Sequence, residues 1–205
     1  MASVNKGILF VVSAPAGCGK DTVLEKLKTK GLPLNKTVSV TTRLARQGEK
    51  DGVDYYFTTK ESFLEKVKND EFLEYTEYNG NYYGTLKSEV ERCLDNGGFT
   101  VLKIEVEGAE NVRRLMPECV SVFIVPPSME ELENRLRGRN TETQEQLEAR
   151  LKTAETELAR ACEYDYIAVN DTVDNCVERF CQIFNSESMR YSRMTEVIEN
   201  LLKDN

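Results

Sequence analysis

The N-terminal region contains the run Ile8-Leu9-Phe10-Val11-Val12-Ser13-Ala14-Pro15-Ala16-Gly17-Cys18-Gly19-Lys20-Asp21-Thr22. Its first five residues are apolar without alternation, which predicts a strand that is buried on both faces. A helix pattern extends from Lys20 to about Lys30 and ends at the Gly31-Leu32-Pro33 sequence. The run therefore predicts a buried strand, a loop of small residues and a helix, in that order.

The loop between this strand and this helix has the composition of a phosphate-binding loop. Glycines let the backbone turn its N–H groups inward around an anion, and the helix N-terminus adds its positive end. The match to the pattern G-x-x-x-x-G-K-[ST] is incomplete, because Ala14 replaces the first glycine and Asp21 replaces the hydroxyl residue. The alternative is a glycine-rich turn with a surface lysine. We predict that a nucleotide triphosphate is held by Ala14, Pro15, Ala16, Gly17, Cys18, Gly19, Lys20, Asp21 and Thr22, with Lys20 reaching the β- and γ-phosphates.

The rest of the chain alternates strand and helix patterns. Strands are predicted at 37–42, 55–57, 72–83 (with an Asn79-Gly80 turn), 99–106, 120–125 and 166–169, and helices at 88–96, 109–116, from 128 onward, 141–164 and 174–203. Strands that alternate with helices predict an α/β fold with a parallel sheet and helices on both faces. The region of residues 36–87 reads as a small antiparallel insertion, and the charged helical region of 128–161 as a second insertion.

Composition excludes several classes of function. A net charge of −8 argues against a broad nucleic-acid or anionic-membrane surface. No apolar run has the length of about 18 residues that a membrane span needs, and no leader sequence is visible, so we expect a cytoplasmic protein. The six cysteines include no C-x-x-C pair and histidine is absent, which predicts reduced, mostly buried thiols and a chemistry without an imidazole base.

A second cluster of polar residues follows the first helix. Arg43 and Arg46 are three residues apart in the run Thr41-Thr42-Arg43-Leu44-Ala45-Arg46-Gln47-Gly48-Glu49. Two arginines with hydroxyls and tyrosines nearby are able to bind a phosphate dianion through forked, charge-assisted hydrogen bonds. Arginine pairs at this spacing also form ordinary surface salt bridges.

Several motifs in this order resemble the guanylate kinase family of P-loop nucleoside monophosphate kinases. The chain reads TTRxxRxGExxGxDYxF from Thr41, then GNYYGT from Gly80, and RGRNTE from Arg137, behind the phosphate loop. The resemblance covers nearly the whole chain. It implies one P-loop α/β domain over 1–205, with a core of 1–35, 88–127 and 162–205, a GMP-binding insertion of 36–87 and a lid of 128–161.

The resemblance implies transfer of the ATP γ-phosphoryl group to GMP, and to dGMP, in purine nucleotide metabolism. The acceptor would be held by Ser39, Arg43, Arg46, Tyr55 and Tyr83, with Glu74 and Thr85 joining Ser39 at the base. Guanine presents two adjacent donors, N1–H and N2–H₂, that one carboxylate accepts together. Adenine lacks both of these donors, so a site built on these bonds rejects it. The alternative for Glu74 is an exposed strand residue.

The charged region of 128–161 carries four arginines. By resemblance, Arg139 and Arg150 belong to a mobile lid and act with Lys20 and Arg46 on the transferring phosphoryl group. The roles of Arg135 and Arg137 are left open. The alternative is a solvated helix with i,i+4 ion pairs such as Glu131 with Arg135. Asn170, after the last strand, would lie near the adenine.

The chain departs from the family pattern where Mg²⁺ is expected. Asp21 follows the loop lysine, and Lys103 stands at the strand position that is usually acidic. We predict that Asp21 and Lys103 form a salt bridge and that Asp21 and Glu105 serve the metal. In the alternative, Lys103 points to solvent and only Glu105 serves the site.

Two other functions are alternatives to the phosphotransferase. One is a non-catalytic guanylate-kinase-like protein-binding module, which typically lacks a working phosphate loop or lid arginines. The other is a kinase for a different small phosphorylated acceptor. We expect ATP and GMP as the partners, with no nucleic acid and no membrane, and either a monomer or a homodimer.

Overall fold

The computed structural model describes residues 6–138 and 143–203. In chain order the elements are β1 (Ile8–Ser13), α1 (Lys20–Leu27), β2 (Leu34–Asn35), β3 (Val40–Thr41), β4 (Tyr56–Phe57), α2 (Lys60–Lys68), β5 (Phe72–Tyr78), β6 (Asn81–Leu86), α3 (Lys87–Asp95), β7 (Phe99–Lys103), α4 (Val106–Leu115), β8 (Val120–Val125), α5 (Met129–Arg137), α6 (Gln144–Ala159), β9 (Tyr166–Val169), α7 (Val173–Ser188) and α8 (Tyr191–Lys203). The larger sheet has five strands and the smaller has four. The predicted α/β class is confirmed.

Contacts divide the chain into two compact units. The first contains the described residues up to Ser13 together with Pro33–Ser121, and the second contains Ala14–Leu32 and the described residues from Val122 onward. The phosphate loop and the charged helices α5 and α6 belong to the second unit. The predicted acceptor site belongs to the first.

In the first unit, β7 pairs in parallel with β1 on one side and with β2 on the other. All six residues of β1 are buried, as the unbroken apolar run predicts for a strand covered on both faces. β2 was not predicted, because two residues are too few to show a period.

The smaller sheet has the order β4-β3-β6-β5 and carries the acceptor residues. β6 pairs antiparallel with β3 and with β5, and the hairpin turn is at Asn79 and Gly80, as predicted. The expectation of a wholly antiparallel sheet is wrong at one edge, since β4 pairs in parallel with β3. The chain makes this pairing by returning through residues 42–55, which is too long a connection for a hairpin.

Helix α2 covers one face of this small sheet and was not predicted. Thr59 caps it by accepting a hydrogen bond from the Ser62 N–H, and Phe63 is its single buried residue. The Phe63 ring stacks on Phe72 at a centroid distance of 4.4 Å and on Tyr82 at 5.3 Å. Together with Val40 they form the core of the acceptor region.

In the second unit, β8 and β9 pair in parallel from Val122 and Tyr166 onward. Helix α1 packs along α7, where Lys26 pairs with Asp174 and Lys30 with Glu178, each at 2.6 Å. Ser128 caps α5 by accepting from the Glu131 N–H, as its position three residues before Glu131 predicted. Thr143 and Gln146 form a reciprocal capping box at the start of α6.

The predicted single helix of 174–203 is wrong, because the chain forms two helices, α7 and α8. The break lies beside Glu187, whose side chain is only 1% exposed. Its carboxylate accepts hydrogen bonds from the Tyr166 hydroxyl at 2.6 Å, from Arg190 at 3.0 Å and from Arg193 at 2.6 Å. A buried carboxylate needs such partners, so the chain turns after α7 to bring both arginines to it.

No helix in the described part of the chain is both long and apolar enough to cross a membrane. The six cysteines are free, and Cys18, Cys93 and Cys176 are buried. Cys119 and Cys181 are half-buried and Cys162 is exposed, so the expectation of mostly buried thiols holds for half of the set.

Candidate active site

The first unit brings Ser39, Glu74 and Thr85 into one hydrogen-bonded chain. The Thr85 hydroxyl donates to Glu74 Oε1 at 2.7 Å, and Thr85 Oγ1 lies 3.5 Å from Ser39 Oγ. Thr85 is only 2% exposed, so its hydroxyl is fixed by its surroundings. The three residues assigned to the base by resemblance therefore lie together, although they come from three different segments of the chain.

A bulge in β5 sets the direction of the Glu74 side chain. Phe72 pairs with Leu86 and Glu74 with Thr85, so two residues advance on β5 where one advances on β6. Such a bulge re-aims the side chain that follows it, and bulges are frequent beside active sites. Gly84 lets the two strands approach closely, since a β-carbon there would lie 2.8 Å from the Phe72 ring.

The two carboxylate oxygens of Glu74 have different surroundings. Its Oε1 is taken by Thr85, while Oε2 lies 3.6 Å from where a β-carbon of Gly108 would stand. Burial raises the pKa of the Glu74 carboxyl above its ordinary value, and the hydrogen bonds from Thr85 oppose that rise. The carboxylate is thus poorly hydrated, which suits a group that exchanges water for the donors of a ligand.

The predicted phosphate residues Arg43, Tyr55 and Tyr83 also lie together. The Arg43 guanidinium carbon is 5.4 Å from the centre of the Tyr55 ring, and the Tyr55 and Tyr83 rings meet edge to face at 6.1 Å. The side chain of Arg46 is exposed in the loop that follows. A guanidinium close to two tyrosines can bind an anion while both hydroxyls donate to it.

Glu49 organises this phosphate cluster, a role that the sequence interpretation did not assign. Arg43 donates two parallel hydrogen bonds to it, each at 2.9 Å, and the Arg46 backbone N–H donates a third at 2.7 Å. These bonds lower the pKa of Glu49 to about 2, so it is ionised at any physiological pH. Its place six residues after Arg43 in the quoted motif was the available signal.

In the second unit, the phosphate loop has the backbone that the glycines predicted. Gly17 and Gly19 have φ of 90° and 82°, in the left-handed region that favours glycine. The Cys18 N–H donates to the Pro15 carbonyl at 3.2 Å, and α1 begins at Lys20. Cys18 is fully buried, and burial raises the pKa of its thiol to about 12, so it is a neutral packing residue rather than a nucleophile.

Asn170 lies against the loop itself. Its side-chain amide donates to the Cys18 carbonyl at 2.7 Å, and a β-carbon at Gly19 would lie 2.6 Å from the same nitrogen. Its predicted contact with adenine stays a prediction. The residues around it belong to the loop and to α5, since the Asn170 carbonyl accepts from Arg135 at 2.9 Å.

The arginines of the charged region are only partly described. Arg135 and Arg137 pair with Glu131 and Glu133 at 2.8 Å and 2.7 Å, and the first of these is the i,i+4 ion pair named in the alternative of a solvated helix. Arg150 is exposed on α6, and Arg139 lies outside the described residues. The roles of Arg139 and Arg150 in phosphoryl transfer stay predictions.

The expected metal residues come from different units. Asp21 is in the first turn of α1, and Glu105 directly precedes α4. The described residues contain no group of three acidic, histidine or cysteine side chains arranged to hold a metal. One or two carboxylates suit Mg²⁺, which is usually held together with substrate phosphates and water. The pairing of Asp21 with Lys103 stays a prediction.

Comparison with known proteins places similarity along nearly the whole chain. A family model described as guanylate kinase matches residues 6–187. The guanylate kinase of Oceanobacillus iheyensis is 44% identical over 199 residues, which is 97% of each chain. The guanylate kinase of Clostridioides difficile is 40% identical over 201 residues, which is 98% of each chain.

Similarity to a solved structure agrees with the sequence comparisons. The crystal structure of guanylate kinase from Anaplasma phagocytophilum superposes with a TM-score of 0.71 at 37% identity, covering 95% of each chain. The matched residues include the phosphate loop, the acceptor cluster and the charged helices, whereas α8 lies beyond the end of the family model.

Proposed function

The chain belongs to the guanylate kinase family, and from this membership we infer that it transfers the γ-phosphoryl group of ATP to GMP, giving ADP and GDP. One observation in the structure supports the acceptor assignment above all others. The Glu74 carboxylate is held by Thr85 next to Ser39. A carboxylate there is able to accept the two adjacent donors of guanine.

We propose that the acceptor phosphate binds at Arg43, with the hydroxyls of Tyr55 and Tyr83 and the guanidinium of Arg46. Arg43 is already oriented by its two bonds to Glu49, so a phosphate meets a guanidinium whose rotamers are restricted. Such pre-organisation reduces the entropy lost on binding. In the proposed complex, Arg43 keeps Glu49 and adds the phosphate on its other donors.

We propose that the donor phosphates bind the backbone N–H groups of residues 14–22, with Lys20 at the β- and γ-phosphates. Phosphoryl transfer between two anions depends on positioning and positive charge more than on proton transfer. Lys20, Arg46, Arg139 and Arg150 supply that charge in the proposal. The region of 128–161 acts as a lid that excludes water from the reacting group.

The family implies Mg²⁺ with ATP, and we propose that Asp21 and Glu105 supply carboxylates for it, with nucleotide phosphates and water as the remaining ligands. Bound there, the ion would neutralise phosphate charge. We further propose that the protein is cytoplasmic, is a monomer or a homodimer, and has no nucleic-acid or membrane partner.

A coupled assay of ADP formation tests the function. With ATP and Mg²⁺, turnover is expected with GMP and dGMP, and none above background with AMP, UMP or ribose 5-phosphate. A protein-binding module would form no ADP with any acceptor. A kinase for another acceptor would be active with the sugar phosphate and inactive with GMP.

The pH dependence of GMP use is expected to report on Glu74. Protonation turns one of its oxygens into a donor, so the carboxyl no longer accepts both guanine donors. Burial raises the pKa of Glu74 above the ordinary glutamate value of 4.5. As pH is lowered, KM for GMP is therefore expected to begin to rise at a pH above 4.5. Over the same fall the contribution of Glu74 to the free energy of unfolding rises, since the folded state holds this proton more tightly than the unfolded state.

The control for this pH profile is Glu74→Gln, which has no carboxyl to titrate. The GMP phosphate itself titrates near pH ~6, and both proteins experience that change equally. The ratio of wild-type to variant kcat/KM for GMP, measured from pH 8 to 5, should therefore fall on acidification. A constant ratio would show that Glu74 does not titrate in this range.

A further inference from the structure

Asn170 has an unusual position for a polar residue at the end of a strand. It is only 2% exposed, and three of its groups are fixed by hydrogen bonds. The backbone N–H donates to Val125 at 2.8 Å, the carbonyl accepts from Arg135 at 2.9 Å, and the side-chain Nδ2 donates to the Cys18 carbonyl at 2.7 Å. Asn170 is therefore immobilised, and one of the two N–H donors of its side-chain amide is used on the phosphate loop.

The bond to Cys18 also determines the direction of the next N–H. The described chain contains no cis peptide, and in a trans peptide the C=O and the following N–H point to opposite sides. Because Nδ2 holds the Cys18 carbonyl, the Gly19 N–H is turned away from Asn170. Gly19 is the residue that directly precedes α1, where N–H groups bind anions.

Gly19 must be glycine for this contact to form. Its φ is +82°, and a β-carbon there would lie 2.6 Å from Asn170 Nδ2. A side chain at this position would displace the amide and break the bond to Cys18. The conformation of Gly19 and the close approach of Asn170 thus support the same orientation of one peptide unit.

We propose that Asn170 is a positioning residue for ATP, which aims the Gly19 N–H at the donor phosphates by holding the Cys18 carbonyl. Arg135 connects α5 to the same residue through the Asn170 carbonyl, so the first helix of the charged region is tied to the loop. The proposal rests on the proposed function, because it assumes that the loop binds a nucleotide phosphate. It assigns to Asn170 a role at the phosphates rather than at the base.

The test compares Asn170→Asp with wild type. Aspartate has nearly the same size, but its carboxylate accepts instead of donating and repels the Cys18 carbonyl. Losing one well-aimed hydrogen bond to a charged phosphate is expected to weaken ATP binding roughly 10- to 100-fold. Calorimetry should show this rise in Kd for ATP with Kd for GMP unchanged, and KM for ATP should rise more than kcat falls.

Asn175→Asp is the matched control. Asn175 is exposed near the start of α7, and its side-chain amide also donates one hydrogen bond, to Asp171 at 3.0 Å. The same substitution there adds the same charge five residues away and should leave ATP binding unchanged. An equal loss of ATP and GMP affinity in Asn170→Asp, or an unchanged Kd for ATP in the folded variant, would overturn the positioning role.

A measurement on the wild-type protein covers the case in which the variant does not fold. In a nitrogen–proton correlation spectrum, the Gly19 amide proton is expected to move downfield when ATP is added and to stay in place with GMP. No shift with ATP would refute the proposal. If wild type forms no ADP with GMP, the proposed function fails instead, which separates the two outcomes.

Discussion

Glu74→Gln is expected to lower kcat/KM for GMP by about 10²- to 10³-fold. The amide accepts at one atom only and presents N–H₂ toward the donors of guanine, so one bond is lost and one contact becomes repulsive. Hydrogen bonds to charged groups contribute about 1.5–3 kcal/mol each, and an unpaired buried donor adds a similar cost. The loss should appear in both KM for GMP and kcat/KM, measured at saturating ATP.

Glu77→Gln is the matched control for this prediction. Glu77 lies on the same strand, β5, and is exposed. Its substitution should change kcat/KM for GMP by less than a factor of about two, within the range for surface sites. The Kd for ATP should be unchanged in both variants. Wild-type kcat/KM for GMP in Glu74→Gln would refute the assignment of Glu74 to the base.

Strands β8 and β9 could be predicted from sequence because most of their residues are apolar. β8 and β9 were placed at 120–125 and 166–169, the limits that the structure shows. Apolar runs of four to six residues that end at turn residues favour a strand, because a helix needs a longer run. The end of each strand can be predicted because a turn residue follows it, Pro126 after β8 and Asp171 shortly after β9.

Two features of the fold could not be predicted from local sequence. Helix α2 buries only Phe63, and its three apolar residues, Phe63, Leu64 and Val67, are too few to establish a helical period. The break between α7 and α8 has no glycine or proline to mark it. It depends on the three hydrogen-bond partners of Glu187, which only tertiary packing brings together.

The acceptor cluster and the phosphate loop also differ in what the sequence could predict. The motif placed Arg43, Tyr55 and Tyr83 in one cluster, and the structure brings them together. The bond between Asn170 and Cys18 joins residues 152 positions apart, so no local spacing could have indicated it. Residue types therefore predicted which chemistry is present, whereas the orientation of each group depends on contacts that are distant in sequence.

Lys20→Met is expected to lower kcat about 10²- to 10³-fold while leaving KM for GMP nearly unchanged. Lys20 is the first residue of α1, directly after the left-handed Gly19, so its side chain starts at the loop that we propose binds the donor phosphates. Methionine keeps the length of the side chain and removes the charge. Removing one positive or polar group that stabilises transition-state charge typically lowers kcat by about 10²- to 10³-fold.

The control for Lys20→Met is Lys28→Met, eight residues further along the same segment. Lys28 is exposed and pairs with Glu25 at 2.6 Å, a surface ion pair worth at most about 1 kcal/mol of stability. Its substitution removes the same charge from an exposed position outside the loop. The value of kcat should therefore stay within a factor of about two of wild type. A kcat for Lys20→Met as high as that of Lys28→Met would show that the loop lysine does not act on the transferring phosphoryl group. A GMP affinity lost together with kcat would instead indicate that Lys20 maintains the fold, because the acceptor cluster belongs to the other contact unit.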